Sequence, residues 1–235
     1  MTWNWQAIFN YFPELLKASV VTLELVAVSC VVGLFLGVAL GLMRLSKNPL
    51  VSWPPFLYIF FFRGTPLLVQ IFLIYYGLGQ FEAVRESFLW EPVLSKPYWC
   101  AIIAFTLNTG AYIAEIVRGA ILAIPKGELE AADAIGLSKS QKLRRIILPR
   151  AFGIMVPAYS NEVIFMIKGS ALASTIAIMD LTNQARSIIA ETYLTLEIFF
   201  AAGVIYLCMC FIFMVAAKAF ERAVNRHKYY KPKTT

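Results

Sequence analysis

The chain has 235 residues, of which 60% are apolar and only 15% are charged, and its formal net charge is +7. An average soluble domain is about 45–50% apolar and about 25% charged. The composition therefore excludes a disordered chain, a collagen-like repeat and a disulfide-rich scaffold, and it indicates a protein whose solvent is lipid.

Five apolar stretches are long enough to cross about 30 Å of hydrocarbon as helices that rise about 1.5 Å per residue. They cover approximately residues 18–43, 54–78, 98–117, 152–179 and 199–217. The second stretch is interrupted by Arg63-Gly64-Thr65-Pro66. The N-terminus lacks the basic segment, apolar core and cleavage site of a signal peptide. We predict an all-α integral membrane protein with five transmembrane helices in a single transmembrane domain, residues 1–235.

The first apolar stretch has a stripe of small residues. Ser29, Gly33, Gly37 and Gly41 recur every four residues and therefore share one face of a helix. Small side chains at this spacing allow two helix backbones in a membrane to approach closely. We predict that this face packs directly against another span.

Lysine and arginine in the loops predict the orientation of the chain in the membrane. With the N-terminus outside, residues 44–53, 118–151 and 218–235 are cytoplasmic and hold 15 Lys and Arg, against 4 in the external segments. This asymmetry predicts an external N-terminus and a cytoplasmic C-terminus. It also accounts for the net charge without a nucleic-acid partner. The external loops are acidic, which is typical of solvated loops or of a docking face for an external partner.

The long cytoplasmic loop, residues 118–151, is predicted to hold two short helices. Pro125 suits the first turn of the first helix, and Gly136 suits a left-handed residue at its end. Ser138 and Gln141 have the spacing of a capping box for the second helix, which Pro149 is expected to end. A delimited pair of helices that faces the cytoplasm is typical of an element that another protein binds.

Several kinds of chemistry lack the residues that they need. The single histidine, His227, allows neither a histidine-based metal site nor a catalytic triad. The four cysteines lie in or beside apolar stretches and are interpreted as small buried hydrophobes. The chain has no G-x-x-x-x-G-K-[ST] loop for binding nucleotide phosphates. We expect no catalytic residue, metal or cofactor in this chain.

The cytoplasmic loop resembles a known family motif. Glu130-Ala131-Ala132, three residues, Gly136, nine residues and then Ile146-x-Leu148-Pro149 are similar to the EAA loop of ABC-importer permease subunits. In that family the first helix of the loop is a coupling helix, which sits in a groove on the ATPase subunit. The resemblance implies a type I ABC-importer permease fold. The residues that it assigns to ATPase coupling are Glu130, Ala131, Ala132, Gly136, Arg144 and Arg145.

The rest of the chain resembles the polar amino acid permease subfamily. The similar segments are Arg63-Gly64-Thr65-Pro66 with Gln70, Leu107-Asn108-Thr109, and Tyr159-Ser160-Asn161-Glu162-Val163-Ile164. The likeness is strongest to the M-type subunit of histidine, lysine, arginine and ornithine importers. It implies a homologous Q-type permease, two ATPase subunits that hold ATP and Mg, and a periplasmic binding protein. The expected location is a bacterial inner membrane, with the N-terminus in the periplasm.

Polar side chains within the spans are candidates for the substrate pathway, because ionisable groups in lipid normally face protein or water. Asn108 and Thr109 in the third span and Asn161 and Glu162 in the fourth are all expected near the midplane. We expect them to line one cavity in which Glu162 binds an ammonium or guanidinium group and the others hydrogen-bond an amino acid. A structural polar network between spans is the alternative.

Three further charges are candidates for the same pathway. Arg63 and Glu115 are expected near the cytoplasmic side, where they form a buried ion pair between helices or contact the substrate or the coupling loop. Lys168 is expected near the outer end of the fourth span, where it extends to the interface or attracts a carboxylate.

These observations favour the permease subunit of an ATP-driven importer of basic amino acids. Within that class, a permease for glutamine, glutamate or opines is the alternative. A secondary transporter that works alone would have internal repeats with paired broken helices, and no duplication is evident in this sequence. A purely structural membrane subunit would have no need of a midplane Glu162.

Overall fold

The computed structural model describes residues 3–225, and the described backbone is almost entirely helical, without β-strands. Its α-helices are α1 Trp5–Arg44, α2 Pro49–Gly64, α3 Leu67–Phe72, α4 Glu82–Arg85, α5 Pro97–Leu122, α6 Lys126–Ala134, α7 Lys139–Lys142, α8 Leu148–Gly169, α9 Leu181–Thr192 and α10 Thr195–Val224. π-Helical turns lie at Leu73–Gly77, Trp90–Leu94 and Leu143–Ile147, and 3₁₀ turns at Leu78–Gln80 and Ser170–Ile176. The predicted all-α class is confirmed. His227 lies outside the described residues, together with the rest of residues 226–235 of the predicted cytoplasmic C-terminal segment.

Among the described residues, helices α1, α5 and α10 are each long and apolar enough to cross a membrane. Two further candidates are bent. α2 meets the segment Leu67–Gln80 at 108°, and the segment Lys139–Ile176 meets α9 at 51°. The described chain contains five spans if each bent pair is one span. The count of five therefore stays a prediction.

The helices extend beyond the apolar stretches that predict them. α1 begins at Trp5 rather than near residue 18, because Asn4 caps it by accepting a hydrogen bond from the Ala7 amide at 3.1 Å. α5 continues to Leu122, so that Arg118 lies in this helix and not in the loop to which the sequence assigns it. Apolarity marks the part of a helix that lipid surrounds, whereas the cap decides where the helix starts.

The break after α2 has a local cause. The residue before a proline is disfavoured in the helical region, and proline has no amide hydrogen to continue the helix. Thr65 and Pro66 are accordingly extended, with ψ values of 147° and 136°, between the end of α2 at Gly64 and the start of α3 at Leu67. Residues 54–78 are therefore two helical segments at a sharp angle rather than one straight span.

The second loop helix does not end at Pro149, so that prediction is wrong. α7, the π-helical turn Leu143–Ile147 and α8 follow one another without a gap. Pro149 lies in the first turn of α8. The wider turn directly before it shifts the hydrogen-bond pattern, so the missing amide hydrogen of proline breaks nothing. The predicted coupling loop is thus joined to the fourth predicted span by continuous helix.

The closest helix pair is α1 and α5, and the small-residue stripe makes this contact as predicted. Gly33, Gly37 and Gly41 are all buried. A Cβ atom at Gly37 would lie 2.6 Å from the Cβ of Ile113, and one at Gly41 would lie 2.7 Å from the Ala114 carbonyl oxygen. Gly33 leaves the corresponding room for the methyl group of Thr109. The stripe therefore packs directly against Thr109, Ile113 and Ala114 of α5.

Candidate functional site

Helices α5 and α8 bring two of the predicted site residues into contact. Thr109 Oγ1 donates a hydrogen bond to Glu162 Oε1 at 3.1 Å, and Glu162 is only 8% exposed. Among the described residues, no lysine or arginine nitrogen lies within 4.0 Å of this carboxylate. A buried carboxylate without a cation is costly, so a bound cation would stabilise it.

Asn108 is attached to the break after α2. Its Nδ2 donates to Gln70 Oε1 at 2.9 Å. Gln70 Nε2 in turn donates to the Phe62 carbonyl at 2.8 Å and to Thr65 Oγ1 at 2.8 Å. The Phe62 carbonyl, which the broken helix leaves free, is thus satisfied by one buried amide. This amide also fixes the position of Asn108 on α5.

A cavity of about 350 Å³ lies beside these groups. Its lining consists of Leu67, Asn108, Tyr112, Glu162, Phe165 and Met166. One acid, one amide and one phenol thus face an otherwise apolar wall. A mostly apolar cavity with a few polar groups that converge on it is the usual form of a small-molecule site.

Two predicted pathway residues lie elsewhere. Asn161 is exposed and does not line the cavity, because consecutive residues on a helix are separated by about 100° and Glu162 faces inward. Lys168 is also exposed, with its Nζ 4.8 Å from the centre of the Phe165 ring. The structure therefore brings Asn108, Thr109 and Glu162 together but not Asn161 or Lys168.

The predicted ion pair between Arg63 and Glu115 is not formed. Glu115 Oε2 instead accepts a hydrogen bond from Arg118 Nη2 at 2.7 Å, one helical turn away on α5. Arg63 lies over the ring of Tyr112, with its guanidinium carbon 5.1 Å from the ring centre. A partner three residues away on the same helix costs less side-chain ordering than one on another helix.

The segment between α5 and α8, which the sequence predicts to be cytoplasmic, has the predicted local geometry. α6 begins directly after Pro125, and Gly136 has a φ of +75°. The side chains of Ser138 and Gln141 form a complete capping box. These features depend on residues within a few positions of each other, which is why the sequence predicts them.

An ion pair joins α6 to the first turns of α8. Arg150 Nε donates to Glu128 Oε2 at 2.8 Å, and Arg150 Nη2 donates to Glu128 Oε1. The hydrogen bonds from Arg150 hold the pKa of the Glu128 carboxyl below its ordinary value, so the pair stays ionised at neutral pH. The predicted coupling loop is therefore attached to α8 by this pair as well as by continuous helix.

The loop also presents a free surface. Glu130, Ala131 and Gly136 are exposed, and so are Arg144 and Arg145. Ala132 differs, because it is only 2% exposed and packs inside this chain. Five of the six residues assigned to ATPase coupling are thus accessible to another protein.

Two buried polar residues, Gln70 and Asp180, have structural roles that the sequence patterns do not assign. Gln70 is 2% exposed and joins the break after α2 to α5. Asp180 is fully buried and caps α9, with its Oδ1 accepting from the Asn183 amide at 2.9 Å. The sequence signal for Gln70 is a polar residue four positions after Pro66 in an apolar stretch. The signal for Asp180 is an acid directly before a new helix.

The family of the chain follows from comparison with known proteins. Residues 33–226 match the family described as binding-protein-dependent transport system inner membrane component. The chain belongs to this family, and it is a transmembrane permease subunit of an ABC importer.

Individual relatives agree with this assignment. The octopine transport system permease protein OccM of Rhizobium radiobacter is 50% identical over 205 residues, which cover 87% of this chain and 83% of that protein. The arginine ABC transporter permease protein ArtM of Escherichia coli K12 is 41% identical over 92% of this chain and 96% of its own length. A crystal structure of an amino acid ABC transporter with histidines has 34% identity and a TM-score of 0.85, over 95% of this chain and 100% of that one. The resemblance to M-type polar amino acid permeases is therefore confirmed.

Proposed function

We propose that this permease subunit carries basic amino acids: arginine, ornithine, lysine and histidine. The observation that supports the proposal is Glu162, a buried carboxylate without a cationic partner among the described residues, beside a cavity that Asn108 also lines. An ammonium or guanidinium group would supply the missing charge through a charge-assisted hydrogen bond. Asn108 and Tyr112 provide hydrogen-bonding groups for the rest of the ligand.

The chain forms half of a translocation pathway in this proposal, and a homologous Q-type permease forms the other half. It has five spans in one transmembrane domain, with the N-terminus in the periplasm. A periplasmic binding protein delivers the amino acid, and two ATPase subunits hold ATP and Mg. The exposed loop surface at Glu130, Ala131 and Gly136 binds an ATPase subunit. Movement of this loop then switches the cavity between outward and inward access.

Opines are a second candidate class of substrate. The relative OccM is named for octopine and ArtM for arginine, and both compounds carry a guanidinium group. Glu162 would pair equally well with either compound. Glutamine and glutamate fit this site less well, because their side chains have no positive charge.

The first test is uptake into proteoliposomes that hold the complete transporter with its binding protein. Arginine, ornithine, lysine and histidine should compete with one another for uptake, and glutamine should compete weakly. Glu162→Gln keeps the size of the side chain and its bond to Thr109 but removes the charge. Since a hydrogen bond to a charged group is worth about 1.5–3 kcal/mol, this variant should reduce arginine uptake about tenfold or more.

Glu24→Gln is the matched control, because Glu24 is a carboxylate in the first span that lies outside this cavity and is exposed. This control should retain arginine uptake. Unchanged uptake in Glu162→Gln, or glutamine that competes as well as arginine does, would contradict the proposal.

A further inference from the structure

A second cavity, called the inner cavity, lies on the side of Tyr112 that the proposed orientation places toward the cytoplasm, and the cavity beside Glu162 is called the outer cavity. The volume of the inner cavity is about 470 Å³, and Tyr112 lines both cavities. The charged groups that line the inner cavity are Arg44, Arg63, Glu115 and Arg118. Three guanidinium groups therefore surround it with only one carboxylate.

Only one of the three arginines has an acidic partner within the described part of the chain. Arg118 pairs with Glu115 at 2.7 Å. Arg63 lies over Tyr112, and Arg44 lies over Phe56 with its guanidinium carbon 4.6 Å from the ring centre. The Nε of Arg44 is buried and has no hydrogen-bond partner. The one carboxylate of this cavity, Glu115, is thus paired with Arg118, and neither Arg44 nor Arg63 forms an ion pair with a described residue.

Like charges at one cavity repel one another even though the Arg63 side chain is exposed, and a buried donor without an acceptor, such as Arg44 Nε, is costly. An oxyanion that enters the cavity would relieve both costs. Guanidinium groups suit this role, because their planar donors match the two oxygens of a carboxylate.

The two cavities are complementary to the two ends of one molecule. The outer cavity has a carboxylate, Glu162, with no described cation within 4.0 Å, and the inner cavity has two guanidinium groups, Arg44 and Arg63, with no described carboxylate within 4.0 Å. A basic amino acid carries a cation at one end and a carboxylate at the other.

We propose that the inner cavity is a carboxylate subsite, in which Arg63 and Arg44 bind the α-carboxylate of an amino acid whose cationic side chain pairs with Glu162. This inference rests on the proposed function, because it places the other end of the same substrate. The substrate lies along Tyr112, which separates the two cavities. Arg118 stays paired with Glu115, so it adds to the positive electrostatic potential of the cavity but does not bind the carboxylate of the substrate directly.

The test compares two ligands that differ only at the carboxylate. Arginine and argininamide share the guanidinium group, but the amide has no negative charge. Their affinities are measured by calorimetric titration of the complete purified transporter in phosphatidylcholine nanodiscs, without the binding protein. The intact transporter should bind arginine about tenfold more tightly than argininamide.

Arg63→Gln should remove this preference: its affinity for arginine falls about tenfold, and its affinity for argininamide changes by less than about twofold. Arg63→Lys keeps the charge and should retain a preference for arginine. Lys47→Gln is the control, because Lys47 is an exposed cation in the segment between α1 and α2 and does not line the cavity. If Arg63→Gln lowers the affinity for both ligands equally, or for neither, the inference is wrong.

Two further measurements distinguish the carboxylate subsite from the cation site at Glu162 and from a lipid-binding site. Glu162→Gln should weaken the binding of arginine and the binding of argininamide by the same factor. If Glu162→Gln changes neither affinity while Arg63→Gln still removes the preference for arginine over argininamide, the proposed function is wrong and the carboxylate subsite is supported. The titration is also repeated with phosphatidylglycerol in the nanodiscs. A preference for arginine that this anionic lipid abolishes would show that lipid phosphate occupies the cavity, which would overturn the inference.

Discussion

Gly136 has a left-handed backbone conformation and is also exposed on the surface. Its φ of +75° lies in the left-handed region, which ends α6 and directs the chain into the capping box of α7. It is exposed, and a Cβ atom there would meet nothing within 4 Å in this chain. A side chain at this position would therefore extend into whatever binds the loop.

Gly136→Asp should uncouple the ATPase from transport. The added carboxylate occupies space on the surface that we propose binds an ATPase subunit, so we expect arginine uptake to fall at least about tenfold while the subunit still inserts into the membrane. A tenfold effect corresponds to the loss of about 1.4 kcal/mol at the contact. ATPase activity and uptake are measured together in proteoliposomes.

Gly127→Asp is the comparison for this variant. Gly127 is exposed near the start of α6, where an added acid interacts favourably with the helix dipole. This variant should transport normally. Full coupling in Gly136→Asp, or equal uncoupling in both variants, would contradict the role given to Gly136.

Single residues were predictable from the sequence when their roles are local. The capping box of Ser138 and Gln141 and the left-handed Gly136 follow from spacings of a few residues. The partners of Glu115 and Asn108 did not follow in this way. Glu115 had candidate cations on its own helix and on α2, and Asn108 bonds to Gln70, which is 38 residues away. Such choices depend on three-dimensional packing, which spacing does not contain.

At the scale of helices, the contact between α1 and α5 makes a prediction about stability. A methyl group at Gly37 would lie 2.6 Å from the Ile113 side chain and 2.9 Å from the Gly110 carbonyl oxygen. Because one of these atoms is backbone, the helices themselves must move apart. Gly37→Ala should therefore destabilise the protein by about 1–3 kcal/mol, the usual cost of overpacking. Thermal unfolding of the purified transporter measures this change.

α10 offers the matched control for that substitution. Gly203 is exposed, and a Cβ atom there would meet nothing within 4 Å. Gly203→Ala should leave the melting temperature unchanged or raise it, since alanine is favoured over glycine in a helix by about 0.5–1 kcal/mol. A melting temperature that falls equally in both variants would show that the stripe has no special packing role.

Helices were easier to predict than the angles between them. Apolar stretches located α1, α5, α10 and the first bent pair, because burial in lipid requires long apolar segments. Of the second bent pair they located α8 but not α9, which lies in a segment predicted to be an external loop. The 108° angle after α2 depends on how Gln70 and Asn108 hold the two segments together. The continuity through Pro149 depends on a π-helical turn, which is not evident in the apolar pattern.

For the whole molecule, the proposed orientation can be tested with single cysteines in a background without the native ones. Glu191 at the end of α9 and Lys47 between α1 and α2 are both exposed, and the proposal places them on opposite sides of the membrane. A membrane-impermeant maleimide should label Glu191→Cys in intact spheroplasts. It should label Lys47→Cys at least about tenfold more slowly until the membrane is permeabilised, because charged reagents cross lipid poorly.

Labelling in the reverse order would show that the orientation is opposite to the proposed one and that the loop containing Glu130 lies outside. Equal labelling of both positions in intact spheroplasts would contradict the number of spans. A quantitative gel measures the labelled fraction with time in both preparations.

An uninterrupted helical path from Lys139 to Gly169 joins α7 and α8, which the sequence predicts as two separate helices. It is about 45 Å long at about 1.5 Å per residue. The Glu128–Arg150 pair attaches α6 to the first half of this path, and Glu162 lies in its second half. The π-helical turn Leu143–Ile147 and Pro157 lie within the path, and helices bend at such positions. In the proposed coupling, a movement of the loop therefore reaches the Glu162 carboxylate through one helical path whose bending points are this turn and Pro157.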